Sequence, residues 1–136
     1  MQESDLFKQP PLMTSPAACG FPSPAEQYVE SPLDLNQLLV KNPPATYFVR
    51  AAGDSMTGAG IDPGDILVVD RSLEVSDGAI IIACIHNEFT VKYFRRDQHG
   101  VYLAPANDAY PLIRFTGEEE LRIFGIVTAC IKQFQK

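Results

Sequence analysis

At 136 residues, 46% hydrophobic and 21% charged, the chain has room for one compact domain with an appended arm, and it is too apolar to be wholly disordered. Eleven Lys and Arg against seventeen Asp and Glu leave a net charge of −6, which argues against direct contact with a nucleic-acid backbone. The longest apolar run, residues 79–85, is seven residues against the roughly 20 of a membrane helix, and Cys19, Cys84 and Cys130 show neither disulfide nor metal-ligand spacing. A cytoplasmic protein without membrane, metal or cofactor is the expectation.

Residues 1–30 hold five of the eleven prolines and no sustained apolar period, which predicts an extended arm ahead of a domain over 31–136. Ser31 is the expected N-cap of a short helix, with Pro32 in its first turn, Asp34 at its third position and Leu35, Leu38 and Leu39 on one face. The helix is expected to end before Pro43. From Thr46 the sequence turns β-branched and aromatic, and strands are predicted over 47–52, 66–70, 79–86, 89–95, 101–104 and 121–134. Asp62-Pro63-Gly64-Asp65 and Ser76-Asp77-Gly78 supply turns between them. The fold class is therefore mainly β.

Gly53-Asp54-Ser55-Met56 follows the first of these strands and precedes Gly58 and Gly60. A serine on such an exit can present its hydroxyl beside backbone amides, although turn statistics alone favour an ordinary loop. Lys92 lies in Glu88-Phe89-Thr90-Val91-Lys92-Tyr93-Phe94. With a two-residue turn at Asn87-Glu88, it stands opposite Ala83 and shares a face with Thr90, Phe94, Ile81 and Ile85. That face is largely apolar. A lysine there is either an edge residue that reaches water or a buried amine whose lowered pKa makes it a general base for a nearby serine. His86 and His99 fall at turns, which suits exposed positions better than a catalytic triad; Cys84 and Cys130 read as small buried hydrophobes. No phosphate-binding glycine loop is present.

Several segments in order, Cys19-Gly20-Phe21-Pro22-Ser23-Pro24-Ala25, Asp34-Leu35-Asn36-Gln37-Leu38-Leu39, Ala45-Thr46-Tyr47-Phe48-Val49, Gly53-Asp54-Ser55-Met56, Glu88-Phe89-Thr90-Val91-Lys92 and Phe124-Gly125-Ile126-Val127, resemble the LexA/UmuD family of self-cleaving serine peptidases. The resemblance runs from about Cys19 to Ile131. It implies a LexA C-terminal-domain-like sheet assembly of the β-clip type, with Ser55 as nucleophile, Lys92 as general base and Cys19-Gly20 as the scissile peptide. By analogy, the amides of Asp54 and Ser55 are the candidate oxyanion donors. The resemblance further implies a homodimer, cleavage stimulated by the RecA filament on single-stranded DNA during the SOS response, and a processed form that serves as accessory subunit of an error-prone, UmuC-like Y-family translesion polymerase. The eighteen residues before Cys19 are too few for a repressor's helix-turn-helix module, and a signal peptidase would need a membrane anchor. A non-catalytic, dimeric interaction module of the same fold is the alternative.

Overall fold

A computed structural model describes residues 9–13, 17, 30–115 and 121–135. The chain divides into two units, residues 1–38 and 39–136. In the first, strand β1 (Pro11–Met13) pairs antiparallel with β2 (Glu30–Pro32), Leu12 opposite Ser31, and Leu33 N–H closes the pair on the Pro10 carbonyl at 3.1 Å. Ser31 is thus a ladder residue and not a helix cap; its hydroxyl donates to the Leu12 carbonyl at 3.4 Å. The cap of helix α1 (Leu35–Leu39) is Asp34, whose Oδ1 accepts the Asn36 N–H at 2.9 Å, the usual way a short acidic side chain satisfies a first-turn donor. The helix is shorter than expected, and Leu35 and Leu38 are exposed. No helix among the described residues is long and apolar enough to cross a membrane.

The second unit is a seven-stranded antiparallel sheet built from β3 (Thr46–Arg50), β4 (Ile66–Asp70), β5 (Ile80–Ile85), β6 (Glu88–Asp97), β7 (Gly100–Ala104), β8 (Ile113–Arg114) and β9 (Leu121–Ile131). Their order across the sheet is β3-β4-β9-β5-β6-β7-β8. All six expected strands are present, with β3 ending two residues early, β6 running on to Asp97, and β9 stopping at Ile131. The short edge strand β8 was not expected.

Successive residues of a strand point to opposite faces, so β5 serves two cores at once. Ile82 packs with Leu67, Val69, Met56 and Ile61, whereas Ile81 and Ala83 pack with Phe94 and Leu103. This double coverage explains why β4 and β5 are nearly continuous apolar runs. The β5–β9 register shifts between Ile82 and Ala83, leaving Phe124 without a direct ladder partner. Its carbonyl is taken up by the Tyr47 hydroxyl at 2.9 Å. At the next residue, Gly125 (φ +150°), a Cβ would stand 2.6 Å from Val69 Cγ1, so only glycine lets β9 pass this close.

The β5–β6 hairpin corrects the expected register. Its turn residues are His86 and Asn87, both at positive φ (51° and 65°), and not Asn87 and Glu88. Consecutive left-handed residues make the turn that matches strand twist, and histidine and asparagine tolerate that region better than most. Lys92 therefore faces Ile81 instead of Ala83, which faces Thr90. The slip is two residues along the partner strand, and a shift by an even number preserves the face.

Candidate active site

Ser55 is delivered by the segment that leaves β3. Just past the last β3–β4 pair, Ala51 donates to the Asp65 carbonyl at 2.7 Å and accepts from Gly64 N–H at 2.8 Å. Gly53 then takes φ +77°, a conformation that strains any side chain bearing Cβ, and the chain reverses into the turn holding Ser55 and a 3-10 turn over Thr57–Ala59. The Asp62–Asp65 turn that holds Ala51 is itself fastened: Lys132 Nζ lies 2.7 Å from Asp62 Oδ2 and 2.5 Å from Asp65 Oδ2. Lys132, donating to Asp65, is the main cause that brings its carboxyl down to about 2. Cys130, expected in the core, is exposed at this polar corner, where its thiol donates to Asp65 Oδ2 at 3.3 Å; Cys84 is buried.

Lys92 projects from β6 on the face that carries Thr90 and Phe94, and it is only 8% exposed. Its Nζ makes three contacts, to Ser55 Oγ at 2.9 Å, Thr90 Oγ1 at 2.7 Å and the Val91 carbonyl at 3.1 Å. The ion pairs among the described residues join Arg95 to Asp77, Arg114 to Asp97 and Lys132 to Asp62 and Asp65; none includes Lys92. Burial with no compensating carboxylate disfavours the ammonium and pushes the Lys92 pKa down from its ordinary value. The structure thus brings together two residues 37 apart in sequence, a hydroxyl and an amine that desolvation biases toward its neutral form.

The Ser55 hydroxyl opens on a cleft of about 250 Å³ whose walls include Val49, Ala51, Gly53, Met56, Ile82, Phe89 and Thr90. A second, wider trough of about 560 Å³ shares Val49, Ile82 and Phe89 with it and runs on to Tyr47, Phe124 and Arg71. The lining is largely apolar, which suits a peptide segment better than a compact polar ligand. His86 and His99 are exposed at turns, as expected. Cys19 and Gly20 lie outside the described residues.

One part of this site carries no sequence signal, the segment over residues 105–110 that follows β7. Ala106 N–H donates to the Ser55 carbonyl at 2.8 Å, and the Ala106 carbonyl accepts from Gly58 N–H at 2.6 Å. Asn107 Nδ2 donates to the Asp54 carbonyl at 2.9 Å, and the Tyr110 hydroxyl donates to Asp54 Oδ1. Pro105-Ala106-Asn107-Asp108 reads as a loop and nothing more; its role appears only when the sheet lays it against a turn some fifty residues earlier.

A profile of the Peptidase S24-like family matches residues 11–128. The chain belongs to that family. Protein SamA of Salmonella typhimurium is 47% identical to it over 121 residues, covering 89% of this chain and 84% of the relative. Protein MucA of Escherichia coli is 44% identical over 119 residues, covering 87% and 81%. The LexA repressor of Delftia acidovorans is 36% identical over 115 residues, which are 85% of this chain but 51% of that protein. The family membership bears out the resemblance to LexA/UmuD peptidases, and the antiparallel, two-core sheet is the LexA-like β fold that the resemblance implied.

Proposed function

We propose that this Peptidase S24-like chain is a serine endopeptidase that cuts itself between Cys19 and Gly20, with Ser55 as nucleophile and Lys92 as general base. The observation that carries the reading is the 2.9 Å contact between Ser55 Oγ and an amine that is 8% exposed and paired with no carboxylate among the described residues.

A neutral amine has two N–H donors and one lone pair, whereas the ammonium has three donors and none. With the Thr90 hydroxyl and the Val91 carbonyl accepting the two N–H groups, the lone pair is left for the Ser55 O–H. Ser55 Oγ then attacks the Cys19 carbonyl carbon as its proton passes to Lys92 Nζ, and the oxyanion forms against the amides of Asp54 and Ser55. Collapse breaks the C–N bond, the Gly20 nitrogen leaves with the proton from Lys92, and an ester joins Ser55 to Cys19. Water, deprotonated by Lys92, hydrolyses that ester and releases residues 1–19. A glycine just after the cut suits a narrow cleft because it carries no side chain.

The family and its relatives also support a place in SOS mutagenesis. There the product over residues 20–136 acts in the cytoplasm as a homodimer and accessory subunit of an error-prone, UmuC-like translesion polymerase, and the RecA filament on single-stranded DNA stimulates cleavage. Intact-mass measurement of purified wild type and Ser55→Ala, before and after alkaline incubation, tests the peptidase reading. The expected wild-type product begins at Gly20, and the variant stays whole. A wild type that never shortens leaves the non-catalytic interaction module as the better description.

A further inference from the structure

Resting on the reading of Ser55 as nucleophile, we infer that Asn107 is a positioning residue of the oxyanion site, turning the Ser55 amide toward the cleft by holding the Asp54 carbonyl on the opposite side. The peptide between Asp54 and Ser55 is planar and trans, so its carbonyl and its N–H point in opposite directions. Fixing one fixes the other. Asn107 Nδ2 holds the carbonyl at 2.9 Å, far better than the 3.4 Å approach of Thr57 N–H to the same atom. Gly53 and Ser55 line the cleft, so the N–H turned away from Asn107 belongs to a residue of the cleft wall.

The orientation of the Asn107 side chain is determined rather than assumed. Its Oδ1 accepts the Ala109 N–H at 3.0 Å, and exchanging the amide atoms would set oxygen against the Asp54 carbonyl and NH₂ against an N–H. A local asparagine turn therefore aims one N–H outward as a fixed donor. The neighbouring contact, Ala106 N–H to the Ser55 carbonyl at 2.8 Å, restrains the following peptide from the same strand exit. Together they keep the nucleophile's backbone from rotating when a carbonyl enters the cleft, and preorganised donors of this kind carry a large part of acyl-transfer catalysis. The side-chain hydrogen bonds of Asn107 run to the Asp54 carbonyl and the Ala109 amide and not to Ser55 Oγ or Lys92, so it acts through the peptide.

The test is the rate of self-cleavage by the full chain from pH 6 to pH 10, read by intact mass, for wild type, Asn107→Ala and the isosteric Asn107→Asp, which keeps the shape and loses the donor. Both variants are expected to cleave at least ~10-fold more slowly on the alkaline plateau, within the ~100- to 1000-fold cost of deleting an oxyanion donor outright. The midpoint of the rising limb in Asn107→Ala should stay at the wild-type value, because the base is untouched. Wild-type rates in both variants would overturn the inference. So would a slow Asn107→Ala whose midpoint moves, since Asn107 would then act on Lys92. Circular dichroism and melting are recorded alongside; if both variants are unfolded at the assay temperature, Asn107 holds up the fold and the positioning role is wrong. A wild type that does not cleave at any pH defeats the peptidase reading itself, which separates the two failures.

Discussion

Replacing Lys92 by methionine in a Ser55→Ala background, where neither chain is expected to cleave, removes a buried amine while keeping an unbranched side chain of similar reach. In the folded chain burial holds the Lys92 pKa below the ordinary value, whereas unfolding returns it to ~10.4. Between those two values the unfolded chain binds the extra proton. The stability of the lysine protein therefore rises with pH across that window, with a slope of up to ~1.4 kcal/mol per pH unit. Below the folded pKa both states are protonated, the slope vanishes, and the native state carries the whole cost of the buried ammonium; above ~10.4 that cost is gone. The methionine protein lacks this dependence, and every other titrating group is common to the pair. Urea unfolding at half-unit steps from pH 6 to 10.5 should show the methionine variant more stable at low pH, with an advantage that shrinks as pH rises. A difference that stays constant across the range would mean that Lys92 titrates as an exposed lysine does, and the argument for a neutral base would lose its physical ground.

Other predictions follow from the same contacts. A Cβ at Gly58 would lie 2.4 Å from the Ala106 carbonyl oxygen, so Gly58→Ala must push residues 105–107 away, costing about 1–3 kcal/mol by overpacking and slowing cleavage; an unchanged melting point and rate would contradict the clamp. Thr90→Val keeps the shape but removes the hydroxyl held 2.7 Å from Lys92 Nζ, and misplacement of the base should lower the cleavage plateau by about tenfold to a hundredfold with the fold intact. A wild-type plateau would make Thr90 a bystander. Asp65, at about 2, lies below its unfolded value of ~3.9, so its contribution is complete above pH ~4 and lost as pH falls toward 2. Lys132→Met should be less stable than wild type at pH 7 by a margin that narrows over that acid window, and a margin independent of pH would refute the assignment of the shift to Lys132.

The strands were legible because β-branched runs separated by glycine and aspartate turns are a local signal, and five or six residues suffice to read it. The pairing of Ser55 with Lys92 was legible in part, since alternation alone put Lys92 on an apolar face with Thr90. The turn lies one residue earlier than the expected pair, yet the face is the same because the two registers differ by two residues, an even step. A Ser-Pro-x-Asp start satisfies the local rule for a helix cap at Ser31, while β1, which claims Ser31, lies some twenty residues earlier. Asn107, Ala106 and Gly58 were not legible at all. Their contacts join turns separated by about fifty residues, and nothing in the composition of either turn records the other.

The central claim, that a neutral Lys92 removes the proton from Ser55, is tested most directly by the pH dependence of self-cleavage in wild type and Lys92→Arg. Well below the Lys92 pKa the neutral fraction changes about tenfold per pH unit, so log rate for the wild type should rise with a slope near one and then level off. The guanidinium stays protonated over the whole range, so Lys92→Arg should show no rising limb. Product beginning at Gly20, quantified by intact mass from pH 6 to pH 10, is the readout. A rising limb in the arginine variant equal to that of the wild type would contradict the account and remove Lys92 from the chemistry.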